Sequence, residues 1–195
     1  MSTKPLKSDI FVSKNIQMKK IVIVFGLIAG IIVSAMMLLS IAKCYNSSDF
    51  EGSMLIGYAS MLLAFSFIFV GIKSFRDKHN EGIISFGKAF RIGLLISLIA
   101  STLYVIVWLV DYYLFVPDFM DKYAAHMLAE AKRNGASAAE LAVQNSEMAD
   151  YKEMYKNPFY VVLLTYSEIL PVGLVVSLIC ALILKRSSKS NPVSH

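Results

Sequence analysis

An acidic side chain in the middle of an otherwise apolar run is the first residue of this sequence to invite a chemical reading. Glu168 stands in Thr165-Tyr-Ser-Glu-Ile-Leu-Pro171, nine residues into a run that opens at Phe159. At 1.5 Å per helical residue that is a depth of roughly 13 Å, near mid-membrane if the run crosses a bilayer. A charge there costs at least about 2.5–3.5 kcal/mol on insertion scales, so some interaction must offset it. Pro171 lacks a backbone donor and leaves the carbonyl of Ser167 without its intrahelical partner, which predicts a kinked, locally polar patch around Ser167, Glu168 and Pro171. Asp111 lies near the end of another apolar run, with Tyr104 and Trp108 on the same helical face. If the two runs are neighbours, a polar pocket opening outward includes both acids.

Three chemistries fit Glu168. It is a neutral acid hydrogen-bonded to a serine, tyrosine or carbonyl of the bundle, or a proton- or cation-linked site, or the counter-charge to a basic residue of a partner. Catalysis has less to stand on. There is no nucleophile–base pair, no metal-ligand cluster and no phosphate-binding glycine loop, so no catalytic, cofactor or metal residues are expected. His79, His126 and His195 are far apart in sequence, and Cys44 and Cys180 fall at opposite ends of the expected spans, too far to bridge.

Four apolar runs are long enough to cross a hydrocarbon core of roughly 30 Å: Ile21–Ala42, Met54–Ile72, Ile92–Val116 and Phe159–Leu184. The composition agrees, with 56% hydrophobic and 17% charged residues, where soluble domains average roughly 45–50% and 25%. The first run follows a lysine-rich start and is too long for a cleaved signal peptide, so it reads as a retained span. The expected fold class is therefore all-α: an integral membrane four-helix bundle, with residues 20–186 as one domain between a basic cytoplasmic arm (1–19) and a cytoplasmic tail (187–195).

Orientation follows from the basic residues, which collect on cytoplasmic flanks. The N-terminal arm, the second loop and the tail hold 13 of the 19 lysines and arginines, while the opposite face holds 6 against 10 acids. Both termini are expected in the cytoplasm of a multi-pass inner-membrane protein. The net charge of +5 is thus a sum over two faces and does not indicate nucleic-acid binding.

Small residues recur at helical spacing in every span and predict close packing: Gly26 and Gly30, Gly57, Gly93, and Gly173. Gly26 and Gly30 also offer a homodimer face. Tyr45, Tyr58, Trp108, Tyr112, Tyr113, Phe159 and Tyr160 gather near the expected outer surface and read as an interfacial belt rather than a ligand-stacking set.

Between Pro117 and Pro158 the period becomes that of surface helices. One begins after Asp118, placed to cap it, and carries an apolar face of Phe119, Met120, Tyr123, Ala124, Met127, Leu128 and Ala131 before Asn134-Gly135 ends it. Ser137-Ala-Ala-Glu140 is a capping box opening a second, which Asn157-Pro158 stops. The result is an extracytoplasmic helical hairpin whose apolar stripes need cover: the bundle mouth, the membrane interface or a partner.

Gly26-Leu-Ile-Ala-Gly30, Ile56-Gly-Tyr-Ala-Ser-Met61, Phe69-Val-Gly-Ile-Lys-Ser-Phe-Arg-Asp77, Ile84-Ser-Phe-Gly-Lys-Ala-Phe90, Tyr151-Lys-Glu-Met-Tyr-Lys-Asn-Pro158 and Glu168-Ile-Leu-Pro-Val-Gly173 carry a resemblance over nearly the whole chain after Lys19. The sequence resembles an uncharacterised four-helix membrane family found mainly in Bacteroidetes, domain of unknown function 4199. The resemblance implies a bacterial inner-membrane protein of this topology and supplies no activity. The expectation is then a non-enzymatic protein acting through other membrane components, through the bilayer, a membrane protein partner or a homo-oligomer. The alternative is a small oligomeric transporter or an ion- or proton-linked membrane protein using Glu168.

Overall fold

The computed structural model describes residues 7–47 and 50–186, with side chains for 12–45 and 55–186. Six α-helices follow one another: α1 Lys7–Ser47, α2 Phe50–His79, α3 Phe86–Leu114, α4 Phe119–Arg133, α5 Ala138–Tyr155 and α6 Pro158–Leu184. Four of them are long and apolar enough to cross a membrane: α1 from Val12 to Tyr45, α2 from Leu55, α3 and α6. They match the four expected runs, although α3 ends at Leu114 rather than Val116. The basic arm is not a separate element from Lys7 onward, because those residues continue α1 into a helix of 41 residues, roughly 60 Å at 1.5 Å each.

The four spans alternate in direction and form a ring in the order α1, α2, α6, α3, with α2 also reaching α3 across the centre. Their outward faces are apolar and exposed, as at Leu39, Leu62 and Leu163, which is the pattern of helices solvated by lipid rather than water. Inside, small and polar residues let backbones approach. Gly93 and Ser97 of α3 meet Gly173 and Ser177 of α6 reciprocally: a Cβ on Gly93 would lie 2.9 Å from Ser177 Cβ, and one on Gly173 2.8 Å from Ser97 Cβ. The Ser97 hydroxyl bonds the carbonyls of Gly93 (3.0 Å) and Gly173 (3.1 Å) and lies 3.1 Å from Ser177 Oγ. A fully buried polar seam thus holds α3 to α6, as interhelical hydrogen bonding in lipid requires.

Gly26 and Gly30 pack α1 on α3, facing Ile99 and Leu103. They are consumed within the chain, so a homodimer through this stripe has no open glycine face. Gly57 departs from expectation further: a Cβ there would meet nothing within 4 Å, so it packs no helix. A close approach that sequence did not single out is at Gly71, where a Cβ would meet Ile96 at 2.7 Å.

At the end carrying the termini, the loop from α2 to α3 is fastened to α6. Ile84 and Arg186 exchange both backbone hydrogen bonds (3.0 and 2.9 Å), and Arg76 donates to the Leu184 carbonyl at 3.3 Å, meeting the negative end of that helix. Gly82 takes the left-handed conformation that this turn needs (φ 74°) and donates to the Arg76 carbonyl. Ser85 caps α3 by accepting from Lys88 N.

Candidate functional site

The hairpin forms where the caps place it. Gly135 (φ 84°) ends α4, with Ala136 N bonded back to the Ala131 carbonyl. Ser137 and Glu140 close the expected capping box that opens α5. Asn157 accepts from Phe159 N, with Pro158 in the first turn of α6. Asp118 does not cap α4. Its carboxylate instead accepts the Tyr45 hydroxyl from the end of α1, and Lys122 lies 3.4 Å from it and 3.3 Å above the Tyr45 ring. These two partners hold Asp118 below the usual carboxylate range and tie the start of α4 to the end of α1. An ion pair of 2.7 Å between Lys152 and Asp121 joins α5 to α4.

So anchored, the hairpin roofs the bundle, and beneath it lies a cavity of about 550 Å³ walled by all six helices. Helix α1 contributes Met37, Ser40 and Ile41, and α2 contributes Gly57, Tyr58, Ser60 and Met61. From α3 come Tyr104 and Trp108, and from the hairpin Phe119, Met120, Tyr123, Met148 and Tyr155. Helix α6 adds Leu164, Thr165 and Glu168. The emptiness beside Gly57 is this cavity.

Of the expected polar patch, only Glu168 reaches the cavity. Ser167 and Pro171 are exposed on another face of α6, where the Ser167 hydroxyl folds back to the Leu164 carbonyl at 2.7 Å. The helix also continues through Pro171 to Leu184. Asp111 is half-buried with Oδ2 unpartnered, and it is absent from the cavity wall although α3 and α6 are neighbours. The one-pocket, two-acid arrangement is therefore not formed: Asp111 shares a helical face with Tyr104 and Trp108 but lies about 4.5 Å farther along α3 than Trp108, outside the wall those two residues join.

The aromatic belt also divides. Phe159 and Tyr160 are exposed as a belt requires, whereas Trp108 and Tyr112 are 6% and 7% exposed. Trp108 stands edge-on to Phe119 at 5.3 Å, and Tyr112 meets Tyr155 at 5.2 Å. These contacts bring the mouth of α3 against both hairpin helices and extend burial across aromatic faces. Periodicity showed the hairpin's apolar face; it could not show Met37, Ser40, Ser60 or Met61 converging below it, since each looks like an ordinary membrane residue.

Tyr155 carries a measurable consequence. Burial, with the Glu168 carboxylate as a second cause, pushes its hydroxyl from 10.0 up to about 12. The unfolded chain releases this proton near pH 10 while the folded protein holds it to about 12, so stability falls as pH rises across that window. A denaturation series should show Tyr155→Phe losing less stability than wild type over the same pH interval.

The arrangement defines a class: an all-helical, four-span membrane protein with a hairpin-roofed cavity and a single acid in its wall. Residues 24–186 match the model of the family described as Protein of unknown function (DUF4199), and the chain belongs to that family. No curated protein and no solved structure matches it.

Proposed function

We propose that this is a non-enzymatic membrane protein that takes a ligand into the hairpin-roofed cavity, with Glu168 as the polar anchor of that ligand. The observation that carries the reading is the unpartnered carboxylate: among the described residues Glu168 makes no hydrogen bond or ion pair, yet it faces a cavity of about 550 Å³, within the size range of small-molecule sites. Below the cavity, Phe65, Ile68, Ile96 and Ile169 are fully buried and fill the bundle. That packing closes the cavity from below and supports a binding site rather than a continuous pore. The excess of lysine and arginine at the termini end favours a cytoplasmic placement of that end, with the hairpin on the far side of the bacterial inner membrane.

Two surfaces that could dock partners are occupied within the chain. The hairpin covers the cavity, and the α2–α3 loop pairs with the end of α6. A ligand site therefore has more support than a protein-docking surface.

Trp108 is the only tryptophan and stands in the cavity wall, so its emission reports occupancy directly. Purified protein titrated with an organic extract of its native membranes should show a saturable change in Trp108 emission. Gly57→Phe, which puts a ring into the empty space, should remove that change while leaving helix content intact. A wild type that responds no differently from Gly57→Phe would end this reading.

A further inference from the structure

The chemistry of the cavity wall narrows the ligand, on the assumption that the cavity binds one. The lining contains one formally ionisable carboxylate, Glu168, and no lysine, arginine or histidine. A ligand that satisfies this carboxylate brings positive charge with it, since burying an unpaired charge beside apolar walls is costly and pairing it is not.

The remainder of the wall argues against an inorganic cation. Hard cations take about six to eight oxygen ligands, carboxylates foremost, and the wall offers a single carboxylate. Among the described residues no three His, Cys, Asp or Glu side chains cluster for a metal. The surface on offer is instead aromatic and thioether. Tyr58, Tyr104, Trp108 and Tyr123 present rings, whose faces attract organic cations. Met37, Met61, Met120 and Met148 adapt to irregular apolar shapes.

The way in is also marked. In the termini half α2 meets α6 at Phe65 against Gly173. Toward the hairpin, Tyr58 of α2 and Glu168 of α6 both stay exposed while lining the same cavity. An amphiphile in the bilayer would meet the acid there without first crossing water.

We infer that the cavity binds apolar organic cations, amines or quaternary onium groups carried on a hydrophobic body, with their charge on Glu168 and their apolar body among the aromatic and methionine side chains. Such an ammonium has two sources, a free lipophilic amine or the headgroup of an ethanolamine lipid.

The test uses the full chain in an uncharged maltoside detergent, with Trp108 emission as the readout. Two probes of the same shape and opposite charge are titrated, tetraphenylphosphonium and tetraphenylborate. The phosphonium should bind saturably, at least about ten-fold weaker to Glu168→Gln and with affinity largely retained in Glu168→Asp; the borate should give no saturable response. Displacement of the phosphonium by short-chain phosphatidylethanolamine but not phosphatidylglycerol would support the inference with a lipid source, and displacement by neither would support it with a free amine. Equal saturable binding of both ions, or an unchanged affinity in a folded Glu168→Gln, would overturn the charge preference while leaving the cavity as a ligand site. Absence of saturable binding by either ion would also overturn it, and the response to membrane extract would then decide separately whether the cavity binds anything.

Discussion

Gly173→Leu should destabilise the bundle by about 3 kcal/mol or more, enough to remove most folded protein from mild detergent. The reason is local and steric. A Cβ at this position would sit 2.8 Å from both Cβ and Oγ of Ser97 and 3.0 Å from the Phe65 ring, and all three residues lie at the packed meeting of α2, α3 and α6. Separating the helices would also break the 3.1 Å bond from Ser97 to the Gly173 carbonyl, leaving buried polar groups without water to replace it. Gly173→Ala should cost less, because overpacking of about 1–3 kcal/mol is partly offset by the helix propensity gained, about 1 kcal/mol. Pairing Gly173→Ala with Ser97→Gly moves the volume to the other side of the seam and should recover part of the loss, a coupling that a double-mutant cycle reads directly. Gly57→Ala supplies the opposite sign: with nothing within 4 Å of its Cβ, it should gain up to about 1 kcal/mol. Unfolding in mixed micelles would measure all four; a Gly173→Leu protein as stable as wild type would contradict the α3–α6 seam.

The second large effect is at Glu168. Glu168→Gln keeps the size and removes the formal charge. Because the carboxylate has no partner among the described residues, no native pairing is lost by the change. The variant should be as stable as wild type or more so, by up to about 2 kcal/mol, while the Trp108 response to ligand falls away. That combination is the signature of an acid held for binding. A clear loss of stability would instead make Glu168 a structural hydrogen-bonding residue and remove the anchor from the proposed site.

Much of the architecture could be read from residue order, because a bilayer imposes it. Every backbone group in hydrocarbon must be satisfied within its own helix, so four long apolar runs become four spans whatever their neighbours, and the observed α1, α2, α3 and α6 contain them. Capping is equally local: the Ser137–Glu140 box and the Gly135 turn depend on residues within a few positions of each other and fall where they were expected. Asp118 shows the limit of such local rules, since its partner Tyr45 lies 73 positions away and draws it off the helix terminus.

The site depended on what periodicity does not contain, the rotation of each helix about its axis and the choice of neighbour. Glu168 was visible as an expensive residue in an apolar run, but Ser167, one position away, points to another face, and Asp111 lies beyond the end of a wall that Trp108 joins. The same rotation assigns Gly173 to a packed seam and Gly57 to empty space, although both are small residues in spaced stripes. Sequence by itself determined the class, the spans and the existence of a hairpin, because solvation by lipid and short-range capping act on each segment alone. Only the tertiary structure decided that the hairpin closes over a cavity and that a single acid faces it, because those facts arise where six helices meet.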